Sequence, residues 1–61
     1  MKKYEIVITN RCAGINKASN SLEEMINRKR KEHNNVQFLG GPQIITEREG
    51  TIALQAIEYE E

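Results

Sequence analysis

The stretch TIALQAIEYE, residues 51–60, restricts the fold more than any other part of the sequence. It contains neither Gly nor Pro, which is typical of a strand inside a sheet rather than at its edge. Apolar residues fall on both alternating sides, with Ile52, Leu54 and Ala56 on one and Ala53, Ile57 and Tyr59 on the other. We therefore expect this strand at the centre of a small sheet.

The length of the chain limits how much stability it can gain alone. Its 61 residues form one domain, residues 1–61. A domain of this size buries only roughly 60% of its unfolded surface, and a disulfide, a metal ion or oligomerisation usually adds stability. Cys12 is the only cysteine and His33 the only histidine, so one chain forms neither a disulfide nor a Cys/His zinc site. We expect a homo-oligomer, a dimer or larger.

The N-terminal residues do not resemble a targeting segment. MKKYEIVITN has two lysines but only a three-residue apolar run, residues 6–8. A signal peptide needs roughly 7–15 apolar residues and a membrane span about 20. With a single thiol, the sequence predicts a cytoplasmic protein without a membrane partner.

The order of predicted elements gives the fold class. Alternation in YEIVIT (4–9) predicts a first strand, and Ser21 followed by Glu24 resembles a capping box that starts a helix at 21–33. VQFL (36–39) and QIITE (43–47) are strand-like around the interruption GGP, and Gly50 turns the chain into the last strand. The prediction is an α+β domain of order β-α-β-β, with one helix packed on a three-stranded mixed sheet.

The apolar stripe of the helix is short. Leu22, Met25 and Ile26 lie on one side, with Ala18 one turn earlier. The same spacing continues to Lys29 and His33, which are not apolar. We therefore expect the second half of the helix to leave the core.

A single helix covers only one face of a sheet, so the other face needs a partner. We expect the uncovered face to carry the apolar patch Val7, Leu39, Ile57 and Tyr59, which would form an interface. Ile57→Glu would then dissociate the assembly.

The segment NRCAGINKASNS, residues 10–21, is the candidate ligand site. A connection of about eleven residues before the helix is longer than the usual 2–6, and long loops are often functional. It combines cations, a glycine and side chains that form hydrogen bonds, which suits a phosphate near a helix N-terminus. The candidate ligand-binding residues are Arg11, Gly14, Asn16, Lys17 and Ser19. The alternative is a flexible connection without a ligand.

The basic run NRKRKEH, residues 27–33, offers a second anion site through Arg28 and Arg30. Such a cluster could contact a nucleic-acid backbone. However, the net charge is zero, the sequence pI is 6.6 and three aromatic residues leave little for bases to stack on. A solvated helix end that complements the helix dipole is the preferred interpretation.

Enzymatic chemistry finds little support in the sequence. Cys12 lies near Arg11 and a helix start, which favours a thiolate, but His33 stands at the far end of the helix. No carboxylates pair for general acid–base chemistry, and no phosphate-loop spacing is present. We expect no catalytic residue, no metal site and no cofactor.

The segments LEEMIN, VQFLG and ALQAIEYEE resemble very short β-α-β-β proteins of spore-forming bacteria and their phages, including a sporulation-associated family, over residues 21–59. The resemblance implies a fold and a cytosolic setting, and carries over no catalytic residues. By physical type, the chain is also similar to compact phage proteins that sequester nucleotide signals of host defence between subunits.

Three functions follow from these features. The first is a non-enzymatic homo-oligomer that binds a nucleotide-like ligand through residues 10–21. The second is an inhibitor or adaptor that binds a host protein through the uncovered sheet face or the basic helix end. Nucleic-acid binding ranks third.

Overall fold

The computed structural model describes residues 1–61 and shows a small α+β fold with one helix and four strands. In chain order the elements are β1 (Lys2–Ile8), α1 (Ile15–Glu32), β2 (Asn34–Phe38), β3 (Gln43–Glu47) and β4 (Gly50–Glu60). The prediction of one helix on one sheet is confirmed. None of the helical structure has the length and apolar character that a membrane crossing requires.

Strand β4 lies at the centre of the sheet, as its composition predicts. It pairs with β1 along one edge and with both β2 and β3 along the other, and all three pairings are antiparallel. The predicted three-stranded mixed sheet of order β-α-β-β is therefore wrong. β1 and β2 run in the same direction, but β4 separates them, so no parallel pair forms.

The fourth strand arises from a break in one edge. Gln37 pairs with Glu58, whereas Gln43 pairs with Leu54, so the register moves by two residues across the segment Leu39–Pro42. Gln55 lies at this seam, where its Nε2 donates to the carbonyls of Gly40 (3.0 Å) and Ala56 (2.8 Å). A Gly-Gly-Pro segment that interrupts an edge fits the inability of Pro to donate to a ladder. The predicted interruption is thus the boundary between two strands.

The helix begins six residues earlier than the capping box suggests. Ser21 lies inside α1, and Gly14 occupies the N-cap position with φ 108° and no side-chain capping bond. The predicted stripe on α1 is confirmed, because Ala18, Leu22 and Ile26 are buried. With residues from three strands they form the core, which consists of Val7, Ala18, Leu22, Ile26, Val36, Ala53, Ile57 and Tyr59.

The second half of α1 stays on the sheet, contrary to the sequence-based expectation. Lys29 Nζ lies 2.8 Å from Glu5 Oε2 on β1. The His33 ring stacks on Tyr59 with 3.9 Å between centroids and 20° between planes. The side of α1 that faces the sheet thus continues beyond its apolar residues through polar and aromatic contacts. The periodicity of hydrophobic residues does not reveal these contacts.

The Lys29–Glu5 pair predicts a pH dependence. The hydrogen bond to Glu5 raises the pKa of Lys29 above its usual 10.5, more than burial lowers it. Because the folded state holds this proton more tightly, the stabilisation is fully present below about pH 10 and is lost as the pH rises through the raised pKa. Glu5→Gln should lower the free energy of unfolding at pH 7 by about 0.5–1 kcal/mol and remove this part of the alkaline loss.

Urea unfolding between roughly pH 7 and 11 measures both effects. Lys29→Met, which keeps an apolar stem, should match Glu5→Gln. Lys31→Met is the control, because Lys31 is exposed and forms no ion pair. An equal loss in Lys31→Met would mean that general charge, rather than this pair, causes the effect.

Candidate functional site

The segment between β1 and α1 is shorter and more ordered than the predicted loop of residues 10–20. Thr9 and Cys12 continue the ladder onto β4: Thr9 N–H donates to Ala53 (3.0 Å), and Cys12 and Thr51 exchange two bonds of 2.9 Å. Thr9 Oγ1 also accepts from Ala53 N–H at 3.0 Å. The connection therefore runs from Thr9 to Gly14, and residues 15–20 are helical. An eleven-residue ligand loop does not exist.

The five predicted ligand-binding residues divide between this connection and the helix. Arg11 and Gly14 precede α1, Asn16 and Lys17 lie in its first turn, and Ser19 follows in its second. Asn16, Lys17 and Ser19 are exposed on the helix surface. Arg11 and Gly14 thus stand just before the helix and Lys17 in its first turn, so the start of the helix carries two cations.

The electrostatics of this helix start are mildly favourable to an anion. The first turn contains no acidic residue and no side chain caps it, so its backbone N–H groups keep their positive end exposed. Arg11 Nη2 lies 4.0 Å from Glu49 Oε2, with both side chains more than half exposed. Glu49 therefore offsets part of the charge that Arg11 would offer a ligand.

Glycines 14 and 50 both have positive φ angles but differ in their surroundings. Gly14 has φ 108° and open space around its missing Cβ, so its backbone conformation alone is sufficient reason for a glycine there. Gly50 has φ 145°, and a Cβ there would lie 2.9 Å from the Cys12 carbonyl oxygen. Gly50 thus allows the connection to pack against the start of β4.

The basic run on α1 does not present four free cations. Lys29 is paired with Glu5, and Arg30 lies over the Phe38 ring, with Cζ 5.4 Å from the centroid. Arg30 Nη1 also approaches the Val36 carbonyl at 3.5 Å. Arg28 and Lys31 remain exposed. The two candidate secondary anion contacts therefore differ, since Arg30 is engaged within the chain and Arg28 is not.

The lone cysteine and histidine are far apart. Cys12 Sγ donates to the Asn10 carbonyl at 3.2 Å before α1, whereas His33 follows the other end of the helix, about 27 Å of helical rise away. No three His, Cys, Asp or Glu side chains are grouped so that they could hold a metal ion.

A small polar cavity at one end of the sheet has no counterpart in the sequence-based predictions. It has a volume of about 260 Å³ and is lined by Lys2, Asn35, Gln37, Glu58, Tyr59 and Glu60. A register shift between Asn34 and Gln37, with Asn35 at φ 54°, shapes one wall. Lys2 Nζ lies 3.7 Å from Glu58 Oε1, so these two charges offset each other, and Glu60 adds a second carboxylate. Ligand pockets are usually larger and more apolar.

The side of the sheet away from α1 is apolar, and we call it the open face. The pairing register brings together residues of even number from β1 and β4, Ile45 of β3, and Leu39, which follows β2. The polar residue Gln43, which pairs with Leu54, lies on the same side. The apolar residues of the open face are Tyr4, Ile6, Ile8, Leu39, Ile45, Ile52, Leu54 and Ala56. Tyr4 is 67% exposed, Ile6 60% and Ile8 52%.

The predicted apolar patch was assigned to the wrong side. Val7, Ile57 and Tyr59 are buried under α1, and only Leu39 lies on the open face. The two alternating sides of β4 are as predicted, but the sequence does not tell which of them the helix covers. Ile57 is fully buried, so Ile57→Glu would unfold the chain instead of dissociating an assembly.

Comparison with known proteins finds no relative of this chain. No family model matches the chain, and no curated protein or solved structure is significantly similar to it. The arrangement of its own residues must therefore carry any functional argument. Among the surfaces described, the open face exposes the most apolar area to water.

The contact between Gly50 and Cys12 predicts a position-specific loss of stability. Gly50→Ala should lower the free energy of unfolding by about 3 kcal/mol, because a Cβ adds backbone strain and displaces the Cys12–Thr51 bonds. Gly14→Ala is the matched control, with a similar positive φ in open space, and should cost about 1 kcal/mol. Chemical denaturation compares the two. Equal losses would show that strain alone, and not the packing on Cys12, acts at Gly50.

Proposed function

We propose that this protein is a small non-enzymatic binding protein that acts through the open face of its sheet. The observation that carries the proposal is the orientation of β1. Its side under the helix holds Glu5, Val7 and Thr9, whereas its open side holds Tyr4, Ile6 and Ile8. The more apolar side of the strand therefore faces away from the chain's own helix, which is the reverse of an ordinary half-buried strand.

The size of the apolar surface supports the same proposal. Five of its side chains are 41–67% exposed: Tyr4, Ile6, Ile8, Leu39 and Ile45. Together they expose roughly 400–600 Å² if a large side chain buries about 150–250 Å². At about 25 cal/mol per Å², covering this surface would gain on the order of 10 kcal/mol before the costs of association. The largest apolar patch of a monomeric protein is typically about 300–600 Å², and such patches are often functional.

Binding, rather than catalysis, fits the distribution of reactive groups. Cys12 and His33 lie at opposite ends of α1, and in the polar cavity the Lys2 ammonium group lies beside the Glu58 carboxylate. The centre of the open face is apolar apart from the Tyr4 hydroxyl and the Gln43 amide, and its charged residues stand only at the two ends. Such a surface supplies burial and shape, as protein interfaces do, but no group that transfers protons or electrons.

Site-specific photo-cross-linking in cells tests the proposal. A benzophenone-bearing residue in place of Tyr4 should form covalent adducts with a protein, because Tyr4 lies on the open face. The same residue in place of Phe38 is the matched control, since Phe38 is aromatic and 51% exposed but lies on the helix side. Adducts at both positions, or at neither, would contradict binding through the open face.

A second candidate function is binding of a phosphate-bearing ligand at the helix start. The uncapped first turn without acidic residues, between Arg11 and Lys17, favours it. A nucleotide-like ligand would contact Arg11 in a bidentate manner and Lys17 as a point charge. Asn16 and Ser19 would contribute hydrogen bonds from the helix surface.

A thermal-shift screen with a nucleotide panel and inorganic phosphate tests this candidate. A ligand at 100 times its Kd would stabilise the fold by about 2.7 kcal/mol, and Arg11→Ala should abolish that shift. Glu49→Ala is the matched control, because it breaks the same ion pair and keeps the cation. A shift that survives Arg11→Ala, or that Glu49→Ala also abolishes, would exclude Arg11 as the ligand contact.

A further inference from the structure

We infer that the occupant of the open face is a second copy of this chain, packed sheet against sheet in a symmetric dimer. The inference rests on the proposed function, since it names the partner of that same surface. The resulting assembly has four layers: helix, sheet, sheet and helix. Sheets that pack in this way lie about 10 Å apart, with their strands within about 30° of each other.

The single chain is more exposed and more extended than a self-sufficient monomer of its size. The accessible surface is 4475 Å², whereas a self-sufficient monomer of this mass exposes about 4000 Å². The radius of gyration over Cα atoms is 12.0 Å, compared with roughly 10.5 Å expected for this length. Only 11 of the 61 residues are buried. The hydrophobic core of the single chain therefore lies on one side of the sheet only, between the sheet and α1.

The extent of the open face fits one interface. A standard protein interface buries about 800 Å² per partner, including a polar rim around an apolar centre. The apolar strip supplies roughly 400–600 Å² of such a centre. Charged residues stand at its two ends, with Lys2, Glu58 and Glu60 at one and Glu47 at the other. This is the arrangement of an apolar centre and a charged rim.

The chemistry of the surface matches a copy of itself. None of the eight apolar residues is charged, and Gln43 among them is neutral, so two identical faces meet without opposing like charges at their centre. The net charge of the chain is zero, so two copies do not repel each other at long range. A two-fold axis pairs the same patch on both partners, which is the commonest symmetry among soluble oligomers.

The alternative occupants fit less well. Pairing through the free edge of β1 would extend the sheet but leave the open face in water. A different protein would have to be present wherever the chain is made, because this surface is exposed from the moment of folding. A second copy is always available at the same concentration.

Light scattering after gel filtration, at roughly 1 to 100 µM, tests the inference. The wild-type chain should have twice its mass of 7.0 kDa. Ile45→Glu and Ile6→Glu should be folded monomers, with dissociation constants raised at least about 100-fold by the unpaired charge in the interface. Ile44→Glu is the matched control and should remain a dimer, since Ile44 is the neighbouring residue of β3, similarly exposed, on the helix side.

The following outcomes contradict the inference, and each identifies which part of it is wrong. A wild-type monomer at the highest concentration excludes the second copy. If the Tyr4 cross-linker then still forms adducts with a protein of another mass, the proposed function stands and only the identity of the partner is wrong. A dimer unaffected by Ile45→Glu and Ile6→Glu places the interface elsewhere and removes both proposals. Equal dissociation by Ile44→Glu and Ile45→Glu also excludes the open face. If a Glu variant fails to fold, the wild-type mass and the mass of the Tyr4 adduct still decide.

Discussion

The antiparallel pairing of β4 with three other strands is the interaction on which the whole structure depends. β1 occupies one edge of β4, and β2 and β3 share the other, so no other two strands pair. Ala53 and Ile57 of the same strand belong to the core that packs against the helix. Because β4 is saturated on both edges and on one face, only its second face is left for contacts with another molecule. The location of the candidate surface is thus a geometric consequence of the central strand.

The sequence predicts the fold well where the signal is local and period-based. The alternation in β4 and its freedom from Gly and Pro place it in the centre, and the spacing of Ala18, Leu22 and Ile26 identifies the buried side of α1. The predicted helix start is wrong because Ser21 and Glu24 resemble a capping box, whereas Gly14 occupies the N-cap position without a side-chain hydrogen bond. Four of the helical residues 15–20 are polar (Asn16, Lys17, Ser19 and Asn20), and hydrophobic periodicity alone does not distinguish such a segment from a loop.

The site was harder to predict, because its decisive features are tertiary. Both sides of β4 are apolar, so the sequence does not tell which side the helix takes. Two polar contacts determine which side of the sheet faces the helix. Glu5 pairs with Lys29, and Thr9 accepts a hydrogen bond from the Ala53 N–H, so both lie on the helix side. Tyr4 and Ile6, which alternate with them, therefore lie on the open face. These pairings join residues 24 and 44 positions apart, and no local pattern reports them.

The break at Leu39–Pro42 also affects how this sheet can grow. An unbroken edge offers a continuous row of backbone donors and acceptors that can recruit further strands without limit, as in fibrils. The broken edge changes register by two residues, and Pro42 has no N–H to offer, so no straight strand can pair along its full length. Only the β1 edge is continuous. A sheet with a single extendable edge ends after one addition, so no single sheet of this protein can grow into the continuous sheet of a fibril.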